Sequence, residues 1–219
     1  MLARLVCVCL MLPAVTATAQ HKLGLAVKAG PNFANMRVKE KSTGRVLDTR
    51  MQIEPSATLE MEIVISKHFS YILGLQLLAH SYSAHSADSV STFEYLRRAT
   101  YLGVPNKIRV FFNYRRIQSF LSFGINAESL LSGRLKKNYH DPAITDYERD
   151  IKVQYNPVIF TPELDIGLRY ALAKFYLTLE GTHAHSLESV NNTQTEAGAT
   201  HSRRIRDFRL MIGISHYLY

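Results

Sequence analysis

Beyond position 9 this 219-residue chain contains no cysteine, and the two it has, Cys7 and Cys9, sit together near the start. The rest of the chain therefore holds no disulfide framework. It also lacks any apolar run of the roughly 18 residues or more that a membrane-spanning helix requires. No Pro/Gly/Ser-rich stretch divides it, and no glycine-rich phosphate loop, P-loop or dinucleotide fingerprint occurs. Acidic residues are in the minority, with Asp+Glu 18 against Lys+Arg 26. Yet the excess cations are scattered, where nucleic-acid binding calls for a concentrated stripe with stacking aromatics. A disulfide scaffold, a helical membrane protein, a nucleotide enzyme and a nucleic-acid binder are all disfavoured.

What is present begins with an export signal. Met1–Arg4 is a short basic start, Leu5–Leu12 an apolar run and Ala17-Thr18-Ala19 a small-x-small cleavage site. This pattern predicts a signal peptide over 1–19 and a mature chain from Gln20. A lipoprotein cysteine would follow a full apolar stretch, whereas Cys7 and Cys9 lie in the middle of one. Residues 20–219 are enough for one domain.

That domain is written in alternation. Ile53, Pro55, Ala57, Leu59, Met61, Ile63 and Ile65 occupy one face of an extended segment, and Glu54, Ser56, Thr58, Glu60 and Glu62 the other. The segment exceeds an ordinary strand of about 5–6 residues and suits a tilted membrane-spanning strand, which needs about 9–11. Comparable patterns run over Lys22–Ala29, Phe69–Tyr82, Tyr101–Phe112, Ile117–Glu128, Val158–Arg169, Phe175–Glu180 and Asp207–Leu218. Ile72 and Leu78 interrupt the contrast in one strand and Asn106 in another. The expectation is an all-β fold: a closed antiparallel eight-stranded outer-membrane β-barrel, an up-and-down meander.

The connections alternate in length. Ser66–His68, Asn113–Arg116 and Ala171–Lys174 are tight, whereas Gly30–Gln52, Ser83–Glu94, Ser132–Asn156 and Ser186–Arg204 are long and polar. Outer-membrane barrels have short periplasmic turns and long extracellular loops, so both termini are expected in the periplasm. A soluble lipocalin-type barrel would show the same alternation with its faces reversed. Strand length, loop asymmetry and aromatics near strand ends (Phe69, Tyr71, Phe111, Phe112, Tyr114, Tyr170, Phe175, Tyr217, Tyr219) favour the membrane form. Pro55, Pro105 and Pro162 fall inside strands, where a bulge at each would restore the pairing.

Tyr101-Leu102-Gly103-Val104-Pro105-Asn106-Lys107-Ile108 resembles the Tyr-Leu-x-Ile-Pro-x-x-x-Lys strand of the PorT-like outer-membrane β-barrel family of Bacteroidetes. Gly24–Asn32 is similar to that family's first strand, and Gly213–Tyr219 resembles its final strand, whose terminal aromatic acts as an insertion signal. The resemblance implies a fold more than an activity, although the protein that gives the family its name belongs to a type IX secretion and gliding apparatus. Gly103 departs from the family, which often has glutamate there.

The inward positions carry charges of both signs: Glu54, Glu60, Glu62, Glu163, Asp165, Glu180 and Asp207 against Lys28, Lys107, Arg109, Arg169 and Arg209. In a barrel this narrow they should pair into a plug, since an unpaired buried charge costs several kcal/mol. A gated pore or proton path is the alternative. Two further patterns invite chemical readings. His68-Phe69-Ser70 has the spacing of a lipid deacylase pair, and His183-Ala184-His185 with His201 could ligate a metal. The tight turn around His68 lies at the wrong end for an outer-leaflet substrate, and neither cysteine nor a spaced glutamate joins the histidines. The Asn191-Asn192-Thr193 sequon is expected to carry no meaning in a bacterium. No catalytic, cofactor-binding or metal residue is assigned. The expected protein is a monomeric, non-enzymatic barrel in contact with outer-membrane lipid and lipopolysaccharide, without cofactor or nucleic acid, and with secretion-machine proteins as possible partners.

Overall fold

The computed structural model describes residues 22–40, 46, 48–87, 92–114, 116–139, 147–187, 189–190 and 201–218. The leader with Cys7 and Cys9, the sequon and Tyr219 lie outside the described residues. The strands are β1 (Lys22–Ala34), β2 (Met36–Glu40), β3 (Arg50–Val64), β4 (Phe69–Ala87), β5 (Thr92–Tyr114), β6 (Ile117–Tyr139), β7 (Tyr147–Asp150), β8 (Val158–Leu172), β9 (Phe175–His185) and β10 (His201–Leu218). Eight of them form an antiparallel ring in the order β1-β3-β4-β5-β6-β8-β9-β10. Pairing of β1 with β10, from Leu23↔Leu218 to Phe33↔Phe208, closes the ring and leaves no sheet edge. Beyond the ring, β2 continues the line of β1 along β10, and β7 pairs with the far end of β6.

Inside and outside follow the alternation. Lys107 and Arg109 are buried within while Leu102, Ile108 and Phe112 are exposed on the outer wall. Ile72 and Leu78, the two exceptions to the pattern, are fully buried on the inner face. Along β10 the outward series Phe208, Leu210, Ile212, Ile214 and Leu218, interrupted by His216 near the tight-turn end, covers about 33 Å of strand at about 3.3 Å per residue. A tilt of about 40° reduces that to an apolar band of about 25 Å, the height of a bilayer-spanning barrel belt.

Two expectations need correction. The long polar segments are strand for much of their length: β4 continues to Ala87, β5 starts at Thr92, β6 continues to Tyr139, and Pro31 pairs with Pro55 inside the sheet. Their alternation is hard to read because the polarity of the wall reverses there. Above the belt Arg204 and Arg206 face out and Ile205 faces in, whereas from the top of the belt downward Phe208 faces out and Asp207 and Arg209 face in. The inner faces of these extensions, with the 3-10 turn at Lys152–Gln154 and its flanks, enclose an apolar core of Met36, Val38, Tyr82, Tyr101, Tyr155 and Ile205, among others. One end of the chain's barrel thus has the lipocalin polarity and the other the membrane polarity.

The second correction concerns the prolines and aromatics. A register shift on β3 between Met51 and Ala57 accommodates Pro55. Pro105 instead falls in a gap of the β4–β5 ladder whose register is unchanged on both sides, and its ring packs beside Gly74. Pro162 lies just past the Glu163↔Ala184 end of the β8–β9 ladder. In each case the missing N–H meets an interruption in one neighbouring ladder, so no paired donor is lost. Among the aromatics, Phe69, Phe112, Tyr170 and Phe175 are exposed near strand ends, but Phe111 is buried inside and the Tyr217 hydroxyl points into the lumen. The side chain of Tyr114 and residue Tyr219 lie outside what is described.

Candidate functional site: the filled lumen

The interior is filled by layers of paired charge stacked between an aromatic floor at the tight-turn end and an apolar cap at the other. At the tight-turn end, Arg169 bonds Glu62 at 2.9 Å and also donates to the Tyr217 hydroxyl, which itself donates to Glu62 Oε2 at 3.0 Å. Its guanidinium lies 5.0 Å from the Phe111 ring, and that of Arg109 lies 4.3 Å from Phe120. Aromatic faces are where a planar, weakly hydrated cation can be buried at low cost, so these rings form a floor for the arginines.

The central layer uses cations as bridges. Lys28 Nζ reaches Glu60 at 2.7 Å and Glu180 at 2.6 Å, and Arg109 Nη2 reaches the same two carboxylates at 3.4 and 3.1 Å. Lys107 Nζ meets Glu163 at 2.6 Å and Asp165 at 2.9 Å, while Arg209 holds the other oxygen of Glu163 at 2.5 Å. The sequence makes room for this. At Gly213 an added Cβ would come within 2.4 Å of Lys28 Cγ, so the glycine accommodates the lysine stem.

Above it lies a layer that the sequence places on the inner face without assigning it partners. Both ring nitrogens of His80 face carboxylates, Nδ1 with Asp207 at 2.5 Å and Nε2 with Glu128 at 2.7 Å. A doubly protonated imidazolium satisfies that arrangement. Asn32 donates to Asp207 at 3.0 Å, and Asn126 donates to Gln76 at 3.0 Å and to Glu128 and Glu163 at 3.2 Å each. Asn126 also accounts for Gly103: a Cβ there would stand 2.6 Å from Asn126 Oδ1, so the asparagine already occupies the space a side chain at 103 would need. The Tyr101 ring lies 5.5 Å from that of His80, tilted by 55°, and begins the cap, where burial raises the Tyr155 phenol well above its usual pKa although Arg97 and Arg203 oppose the shift.

The expected pairing is realised in all but two respects: Glu54 pairs with the partly exposed Arg98 at 2.8 Å rather than with the deep cations, and Asp207 pairs with His80. Inward phase at His80 and Glu128 was the available signal for the upper layer, since each sits among lumen residues of its strand. The other candidate groupings are not assembled. His68 Nδ1 lies 3.3 Å from the Phe111 carbonyl oxygen in a turn, while Ser70 is fully buried within. His183 and His185 are on the outer wall opposite Phe208 and Arg206, and His201 is paired with Glu40 several residues farther along β10. At about 3.3 Å per residue, His201 stands about 17 Å up the strand from Arg206. Among the described residues no group of His, Asp and Glu has the arrangement of a metal site. At the tight-turn mouth a cavity of about 220 Å³ is lined by Lys22, Lys67, Phe111, Gln118, Tyr176 and Tyr217.

The geometry defines a closed antiparallel barrel with an apolar belt outside and a charge-paired interior. Such barrels recur among solved structures. Those similar to this chain include Neisserial surface protein A, at TM-score 0.46 and 13% identity over 89% of this chain and 96% of that one. A major outer membrane protein of Thermus thermophilus aligns at TM-score 0.49 and 11% identity over 91% and 100%. The outer membrane protease OmpT of Escherichia coli aligns at TM-score 0.48 and 8% identity over 92% and 99%. No protein-family model and no curated protein matches the sequence.

Proposed function

We propose that the chain is exported and inserted as a monomeric outer-membrane barrel with a non-conducting lumen, and that its work is done at its two rims. One observation carries this reading: Lys28, Arg109, Arg169 and Arg209 are buried with their carboxylates inside a wall whose outer face is apolar over about 25 Å. A soluble barrel would turn that face to water. The tight turns would lie in the periplasm with both termini, and the strand extensions with their apolar cap would project outward. The test is fractionation with electrophoresis. The mature protein should partition with the outer membrane and migrate faster unheated than boiled, because a closed barrel resists detergent. A soluble periplasmic fraction with identical migration would refute the proposal.

A second reading, from the PorT-like resemblance of Tyr101–Ile108, is that the protein is an accessory of a type IX-like secretion or surface-assembly apparatus. It is supported by Lys67, Arg116 and Lys174, exposed on the three tight turns at the end where periplasmic partners would dock. Deleting the gene should then trap cargo in the periplasm, and charge reversal at Arg116 and Lys174 should reproduce the defect while the barrel still inserts. Normal secretion in the deletion strain would remove this reading. A lipid-modifying activity is the least supported, given the separation of His68 from Ser70.

A further inference from the structure

Just above the apolar belt, the outer wall formed by β9, β10 and β2 changes character within two residues. Phe208 and Phe33, with ring centroids 6.1 Å apart, mark the top of the belt, and Leu210 and Ile212 continue it below. The next outward side chains on β10 are Arg206 and Arg204, and those on β2 are Arg37 and Lys39. Arg204 is directly opposite Arg37 in the ladder, and Arg206 is directly opposite His185. Directly opposed residues have Cβ atoms about 4.5–5.5 Å apart, where like charges destabilise a sheet. No ion pair joins any of the four cations to a described carboxylate, although the Lys39↔Val46 bridge brings the exposed Asp48 alongside Arg37 at the outer edge of β2, leaving Arg204, Arg206 and Lys39 as the excess charge. The β6–β7 wall is built differently, with Arg134 facing Glu148 at 3.4 Å.

We propose that this wall is a binding site for a bisphosphorylated glycolipid of the outer leaflet, of the lipid A type. The inference rests on the membrane reading above and adds the lipid and its site. One phosphate bridges Arg37 and Arg204, relieving their repulsion through charge-assisted hydrogen bonds to two guanidinium groups. Arg206 lies about 7 Å from that pair on the belt side and Lys39 about 7 Å from it on the far side, so the second phosphate goes to one of them and the sugar hydroxyls to the other. Acyl chains then run down the wall over Phe33, Phe208, Leu210 and Ile212. A lipid with a single phosphate would engage only part of this cluster, which is why the site selects a headgroup carrying two.

The test is native mass spectrometry of the full folded protein in detergent, titrated with diphosphoryl lipid A, with monophosphoryl lipid A and with phosphatidylglycerol. Diphosphoryl lipid A should bind at least tenfold more tightly than phosphatidylglycerol, with the monophosphoryl form between them. Arg37→Gln combined with Arg204→Gln should weaken diphosphoryl binding tenfold or more, and Arg134→Gln on the opposite wall should leave it unchanged. Undiminished binding by the double variant, or equal binding of phosphatidylglycerol, would overturn the proposal. Each variant is checked for heat-dependent migration. An intact barrel with unaltered lipid binding refutes the site alone, whereas a wild-type chain that forms no barrel refutes the membrane reading beneath it.

Discussion

Replacing Lys28 by methionine removes one charge from the centre of the lumen while keeping the length of the side chain against Gly213. The Lys28 ammonium stands 2.7 Å from Glu60 and 2.6 Å from Glu180, and all three residues are almost completely buried. At an effective dielectric of about 20 each contact is worth about 6 kcal/mol of Coulomb attraction. Desolvation of the ammonium offsets much of that, and breaking a buried pair from one side costs about 3–5 kcal/mol overall. Arg109 remains close to both carboxylates, which places the expected loss near 3 kcal/mol, the low end of that range. Urea titration of the protein refolded into lipid vesicles would measure it. Glu60→Gln in the Lys28→Met background should restore part of the loss, with a coupling of about 1–3 kcal/mol. If the lumen were a water-filled channel, the same contacts would be worth about 1.5 kcal/mol before solvation and nearly nothing after it. A loss below about 1 kcal/mol, with no coupling to Glu60, would refute the dry, paired interior.

Other consequences follow from the same geometry. Leu75→Arg or Ile212→Arg, on the outer belt, should destabilise the barrel in vesicles by about 2–4 kcal/mol, and a cost near zero would remove those residues from the bilayer. Purified protein in planar bilayers should give no steady current, and a reproducible conductance altered by Glu60→Gln would overturn the closed lumen. Ala173, in the two-residue connection between β8 and β9, has φ 48, a left-handed backbone that costs a residue with a Cβ about 1–2 kcal/mol. Ala173→Gly should therefore stabilise the protein by about 1 kcal/mol in the urea titration, and a loss of stability would contradict the assigned turn.

The barrel was legible in the sequence wherever each wall residue meets either lipid or the charged lumen, because there the two faces differ in kind. Ile53–Ile65 is the clearest case, and its inward glutamates stand where the alternation puts them. Legibility failed at the height where the polarity turns over. Between Ile205 and Phe208 the apolar residues change faces, and a reader following one phase ends the strand at Asp207, although the backbone pairing continues to His201. That one-residue slip of the apolar phase is itself a signal, since an uninterrupted strand produces it only when its surroundings invert. Partner choice inside the lumen was hidden for a different reason. Inward phase fixes which side a carboxylate faces, but whether Glu54 meets Arg98 or a deep cation depends on stagger between strands, which alternation does not encode. For the same reason Phe111 and Tyr217 read as girdle residues, being aromatic and near strand ends, while their inward phase makes them the floor beneath Arg169.

A membrane barrel requires the outer wall to lie in lipid and the cap to lie outside it, and the absence of tryptophan from the chain makes that directly measurable. Single tryptophans introduced as Ile212→Trp on the belt, Arg204→Trp above it and Tyr155→Trp within the cap can be compared in vesicles of lipid brominated at mid-chain. Bromine quenches only a fluorophore in contact with the acyl region. Ile212→Trp should be strongly quenched, with Arg204→Trp and Tyr155→Trp nearly untouched. Emission from Ile212→Trp that brominated lipid leaves unchanged, in protein shown to be folded and vesicle-bound, would contradict the membrane barrel.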